Sequence, residues 1–298
     1  MKLKKICSLI AIVCFFSLSI VVQAQLPDSL AKRFQYTSIK HLNYKIDTSY
    51  AVGNVKVKKI SYLSTDSFLV TAYLVVPSVK TKMPLIVFQH WGEGNKSEFL
   101  DEAISFSKNG ICCILPDAVW LCPRSNITSM KKKGYEMYRQ GVMNIRTALD
   151  LAMTNFKIDS SKVCFVGHSY GCNIGAILSA VDKRINNYVF MTGIYSTTKS
   201  MSNSKDADDI KWKKNSPDEY KAWLTKMRPL DAELYLPYKT APCVIQIAEK
   251  DEYITKAEND KFIKLTPEPK LVQSFNTKHK LDSQAKFRRQ KWILTKLK

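Results

Sequence analysis

The sequence predicts an α/β fold, with a mostly parallel central sheet, helices on both faces and a helical lid insertion. Two observations carry this. From Val55 onward, short continuous apolar runs alternate with amphipathic helical patterns, as a sheet buried on both faces requires. One such run, Val163-Cys164-Phe165-Val166, ends in Gly167-His168-Ser169-Tyr170-Gly171 and opens directly into a helical pattern, a strand–turn–helix junction built around a serine.

The first 24 residues stand apart. Lys2, Lys4 and Lys5 precede an apolar run from Ile6 to Val22, and Val22-Gln23-Ala24 provides a cleavage signal. This reads as a secretory signal peptide cut after Ala24, so the mature protein is exported to the periplasm or the extracellular space. No later stretch is long and apolar enough to span a bilayer, so no stable membrane insertion is expected after cleavage. Cleavage leaves 274 of the 298 residues and, with three lysines removed, lowers the net charge from +20 to +17.

Residues 25–54 read as a polar, irregular N-terminal extension, and residues 55–298 as the α/β domain. Val55 to Tyr62 and Phe68 to Val76 predict two strands joined at Ser64–Ser67. Leu85 to Gln89 predicts a short buried strand. Ser97 to Lys108 predicts a helix with Ser97 as N-cap, ended by Gly110. Strands at Ile111–Leu115, Lys162–Gly167, Tyr188–Thr192, Cys243–Ala248 and Leu271–Phe275 follow. The helices among them cover Tyr135–Asn155, Gly171–Ala180, about 257–265 and Ser283–Lys298. Residues 196–238 are too long and too mixed for an ordinary connection and predict the lid insertion. Its Trp212, Tyr220 and Trp223 suit either the insertion's own core or a pocket wall.

The composition is globular, 45% hydrophobic and 24% charged, which excludes wholesale disorder. Basic clusters occur at Lys131–Lys133, Lys211–Lys214 and from Lys278 to the C-terminus, but no nucleic-acid module accompanies them, and no nucleic-acid partner is expected. The last cluster reads as the solvated face of a helix whose other side carries Phe287, Leu294 and Leu297. A basic exported surface also suits acidic glycans or anionic lipid. Of the six cysteines beyond residue 24, Cys112, Cys113, Cys164 and Cys243 lie in apolar strands and predict buried free thiols. No Cys or His spacing suits a metal, and no cofactor is expected.

A serine hydroxyl needs a general base, and the base needs an orienting acid. In a fold of this kind they follow the serine in the order acid, then His. Of His41, His90, His168 and His279, only His279 lies beyond the serine's own segment, on the loop after the last strand. The loop after Cys243–Ala248 offers Glu249, Asp251 and Glu252. Asp251, a few residues past the strand end, is the favoured acid. The oxyanion needs backbone donors: Tyr170, which follows the serine, and Gly92 or Trp91 in the glycine-rich loop His90-Trp91-Gly92-Glu93-Gly94-Asn95-Lys96. His90 reads as structural, and Glu93 as pointing away or contacting a lid or substrate.

Together the His90–Lys96 loop, the Gly167–Gly171 turn, the Lys250–Glu252 loop, His279 and the helix residues Asn144–Asp150 resemble the α/β hydrolases. The likeness is to the dienelactone-hydrolase and acetyl-esterase-like group, and also to the catalytic domain of prolyl oligopeptidases. It runs from about Val55 to the C-terminus. It implies an α/β-hydrolase fold and a serine hydrolase with a Ser169–His279–Asp251 triad, and it does not fix the substrate. Carboxylic ester cleavage on a small molecule or glycan is the expected activity, with polysaccharide acyl groups suggested by the exported location. Two departures stand out. His90-Trp91 replaces the usual His-Gly, and the nucleophile is Ser, not the Cys of true dienelactone hydrolases, which favours ester cleavage. A peptidase acting on short peptides is the alternative, although the chain has no room for a propeller over the site. A binding module without activity is a more distant reading.

Overall fold

The computed structural model describes residues 25–298 except 40, 41, 124 and 128; the expected signal peptide therefore lies outside the described residues. Nine described strands form one sheet: β1 (Tyr44–Val52), β2 (Val55–Leu63), β3 (Leu69–Pro77), β4 (Met83–Gln89), β5 (Cys112–Pro116), β6 (Ile158–His168), β7 (Asn187–Met191), β8 (Cys243–Ala248) and β9 (Lys270–Phe275). Their spatial order is β1-β2-β3-β5-β4-β6-β7-β8-β9. The pairs up to β3–β5 are antiparallel, and all pairs from β5–β4 to β8–β9 are parallel. The described helices are α1 (Asp28–Ala31), α2 (Leu100–Lys108), α3 (Met130–Asn155), α4 (Tyr170–Val181), α5 (Thr197–Asn203), α6 (Ala207–Asn215), α7 (Pro217–Met227), α8 (Lys256–Leu265) and α9 (Ser283–Leu297).

The apolar runs are continuous because successive residues feed opposite cores. Leu85, Val87, Val163, Phe165, Tyr188 and Phe190 pack on the side of α3 and α4. Ile86, Phe88, Cys164, Val166, Val189 and Met191 pack on the side of α2 and α9. Each such side chain, once buried, contributes roughly 1.5–3 kcal/mol. The chain leaves β4 through α2 to β5 on one side, then returns through α3 to β6 on the other. The direction reverses at the carboxyl ends of β4 and β6, the position where open α/β sheets form their crevice.

Three local readings need correction. The expected irregular extension contains β1, a nine-residue strand. Seven of its residues are exposed, so it shows no alternation to read. The helix expected from Ser97 begins at Leu100 without a side-chain cap, because the preceding residues belong to a turn that serves the site. In α9 the buried stripe is Ala285, Arg289, Ile293 and Leu297, at four-residue steps. Phe287 points to solvent, and Arg289 is buried against Glu102 of α2 at 3.0 and 2.9 Å.

Helices α5–α7 occupy the segment between β7 and β8. Trp212 stands edge-on to Tyr220 and Trp223 at 5.3 and 5.8 Å, so these rings are the segment's own core. Trp223 Nε1 donates to the Met130 carbonyl at 2.8 Å and fastens the segment to α3. The buried Asp231 closes its ends, accepting from Ser196 Oγ, Thr198 and Arg228. All six described cysteines are free and buried. None of the described helices is long and apolar enough to cross a membrane.

Candidate active site

Ser169 sits between the last residue of β6 and the first of α4, with φ 52° and ψ −107°. A non-glycine residue holds this conformation only where its surroundings impose it. The Ser169 N–H donates to the Met191 carbonyl at 2.8 Å, and its own carbonyl accepts from Asn173 N at 3.1 Å. Gly167 must lack a side chain because a β-carbon there would overlap the Gly171 carbonyl. The turn thus lifts Ser169 out at the carboxyl end of the sheet, with α4 beginning beneath it.

Asp251 and His279 meet on the loops that follow β8 and β9, where the His279 ring lies 5.3 Å from that of His168, the residue before Ser169. Asp251 Oδ1 accepts from the backbone N–H of Tyr253 and Ile254, both at 2.9 Å, which orients the carboxylate. Its Oδ2 lies 2.8 Å from His279 Nδ1. The carboxylate can only accept, so Nδ1 carries the proton and Nε2 is left as an acceptor. The other candidate acids do different work. Glu252 Oε2 accepts from the His279 backbone N–H at 3.1 Å, a bond that holds its carboxyl below the usual range. Glu249 donates its N–H to the Phe275 carbonyl at 2.8 Å, pairing the two loop starts. Ser169 Oγ makes no hydrogen bond among the described residues. Such bonds commonly close only when substrate is bound.

The oxyanion-loop alternatives separate. The Trp91 N–H, one of the two expected loop donors, is engaged with Glu98 Oε2 at 2.9 Å. The Gly92 N–H makes no hydrogen bond among the described residues. Its peptide plane is set from the other end, because the Trp91 carbonyl accepts from His90 Nδ1 at 2.6 Å. In a trans peptide the carbonyl and the next N–H point in opposite directions, so His90 aims the Gly92 donor. His90 Nε2 accepts from Ala118 N at 2.8 Å, and burial pushes its pKa down, keeping the ring neutral. Asp117 pins the loop's far end through Lys96 Nζ, through Lys96 N at 3.0 Å and through Thr71 at 2.6 Å. Tyr170 N, at the start of α4, supplies the other expected donor position. Its ring turns inward, where the hydroxyl donates to the Met137 carbonyl at 3.2 Å.

Three residues of this region escaped the sequence reading. His168 was an unassigned position of the serine motif, and its ring packs against both Trp91 (5.6 Å) and His279 (5.3 Å), which also touch each other at 5.8 Å. Glu98 was counted into α2. Tyr253 stands edge-on to His279 at 4.9 Å and donates its hydroxyl to Glu93 Oε1 at 3.1 Å. That carboxylate contact raises the Tyr253 pKa. The only sequence signal for the three was their nearness to residues already singled out.

No protein-family model matches the chain, and no curated protein matches its sequence. Solved structures match its fold. An acetyl xylan esterase from Paenibacillus sp. R4 superposes with TM-score 0.75 at 14% identity, covering 90% of this chain and 92% of the other. Acetyl xylan esterase 1 from Thermoanaerobacterium sp. JW/SL YS485 gives 0.77 at 12%, covering 92% and 95%. An S-formylglutathione hydrolase from Agrobacterium tumefaciens gives 0.64 at 15%, covering 85% and 99%. The fold is that of the α/β hydrolases.

Proposed function

We propose that the chain is an exported serine hydrolase that cleaves carboxylic esters. The observation that carries this reading is the Asp251–His279 pair at 2.8 Å, with its imidazole 5.3 Å from the ring of His168, the neighbour of a serine held at φ 52°. His279 Nε2 takes the proton of Ser169 Oγ as the oxygen attacks the ester carbonyl. Asp251 holds the ring in the required tautomer and stabilises the imidazolium. The N–H groups of Tyr170 and Gly92 face the developing oxyanion. Collapse expels the alcohol, which takes the proton from His279. Water then attacks the acyl-enzyme by the same route, releasing the acid and restoring Ser169.

The acetyl xylan esterase neighbours support acyl groups on polysaccharides as the substrate class, and the segment 1–24 supports export. The test is hydrolysis of p-nitrophenyl esters from acetate to octanoate by wild type and Ser169→Ala. Activity greatest at acetate and lost in the variant is the expected result. A folded wild type that is inactive at every chain length would overturn the esterase reading.

A further inference from the structure

We propose that Glu98 and His168 form a clamp that positions the base and the oxyanion loop together. The inference rests on Ser169 as the nucleophile. Glu98 uses both carboxylate oxygens: Oε2 accepts the Trp91 backbone N–H at 2.9 Å, and Oε1 lies 2.5 Å from His168 Nδ1. His168 Nε2 lies 3.0 Å from the main-chain carbonyl of His279. A carbonyl oxygen can only accept, so Nε2 carries a hydrogen. At the other nitrogen, one proton is held between Nδ1 and the carboxylate.

The chain Trp91 N–H, Glu98, His168, His279 carbonyl therefore joins three segments through two side chains. The first is the oxyanion loop after β4, the second the serine turn itself, and the third the base loop after β9. The His168 ring is 1% exposed and packs against both the Trp91 and His279 rings, which are themselves 5.8 Å apart. Its backbone is fixed by the pairing of His168 with Met191.

His279 is consequently held at three points: its N–H by Glu252, its ring by Asp251 and its carbonyl by His168. Glu98 sets the peptide plane before Trp91, and His90 sets the one after it. The two are successive planes of one loop, so Glu98 acts on the direction of the Gly92 N–H without touching it. Glu98 and His168 are positioning residues. A displacement of about 1 Å at such a site costs on the order of 100-fold in rate.

The test is the rate of Ser169 labelling by a fluorophosphonate, which needs the base and oxyanion loop but no ester substrate. Wild type, Glu98→Ala, Glu98→Gln and His168→Phe are compared for rate, for labels per chain at completion and for Tm. Glu98→Ala is expected to reach one label per chain but about 10- to 100-fold more slowly. Glu98→Gln is expected to recover to within about fivefold, because its amide still accepts from Trp91 and donates to His168. His168→Phe keeps a stacked ring and loses both hydrogen bonds, and is expected to slow by about tenfold or more. It decides the matter if Glu98→Ala does not fold. A wild-type rate in either variant overturns the clamp, as does a wild-type rate with fewer labels per chain, which marks a merely structural role. An unreactive wild type overturns the nucleophile reading and the clamp with it. Labelling that proceeds without ester hydrolysis overturns the substrate class alone, and the variant rates still decide the clamp.

Discussion

A β-carbon on Gly171 would overlap the main-chain carbonyl of Gln89. That contact sets the start of α4 directly against the end of β4, from which the His90–Lys96 loop departs. It explains why the second glycine of the serine motif is needed for packing as well as for the turn. Gly171→Ala is expected to destabilise the fold by about 3 kcal/mol, since backbone must yield on both sides. Urea denaturation checks it. An unchanged midpoint would show that the two segments separate easily.

Asp251→Asn should lower kcat by about 1000-fold or more with little change in stability. The asparagine amide can donate to Nδ1 and so move the ring proton to Nε2, where the base must accept. Steady-state hydrolysis beside a thermal melt separates the two effects, and a variant with more than a tenth of wild-type kcat would contradict the tautomer argument.

The serine turn, the acid loop and the base were legible because each lies at a strand end, and the chain order of the three is constrained by the fold. The presence of strands β4 to β7 was legible for a related reason, since each carries an uninterrupted apolar run. The clamp was not legible. Glu98 and His168 are far apart in the chain, and their meeting depends on where β4 and β6 end relative to one another. β1 gave no signal because an edge strand exposed along its length has nothing to alternate. In α9 the expected apolar residue Phe287 is exposed and Arg289 of the basic cluster is buried. The buried position belongs to a cation whose partner, Glu102, lies 187 residues away.

That pair supplies a third test. Burial raises the Glu102 pKa despite the opposing Arg289 charge. Arg289→Met strands a buried carboxylate and is expected to cost about 3 kcal/mol. The double variant Glu102→Leu/Arg289→Met should recover most of that loss. A double variant as unstable as the single one would mean that packing, not the stranded charge, is responsible.

Acid should weaken the ion pairs of Arg184 only below the ordinary carboxylate range. Burial opposes the charged form of Asp182, but the hydrogen bonds and charge of Arg184, with Arg146, outweigh it and lower the pKa. A carboxylate with a lowered folded-state pKa gives stability that is present above its unfolded value and lost as pH falls through the folded one. The loss therefore lies below the ordinary value of 3.8. Arg184 also holds Asp150, to which Ser38 and Ile39 are tied, each at 2.8 Å. Arg184→Met should cost about 2 kcal/mol at pH 7, less than a fully buried pair because Arg184 is partly solvated. The difference from wild type should shrink at pH 3. Unfolding curves at the two pH values check it, and a constant difference would assign the loss to packing.

The buried thiols have a practical meaning for a chain read as exported. Burial pushes Cys243 up to about 11 and Cys112 up to about 12. The native fold thus withholds thiolate from any oxidant or alkylating reagent, and nothing in the described residues needs a sulfur–sulfur bond to hold its shape. Recombinant material can be made in a reducing compartment without loss of a cross-link. Each cysteine then becomes a timer, silent while the molecule stays shut and modified at the rate at which its own surroundings breathe open.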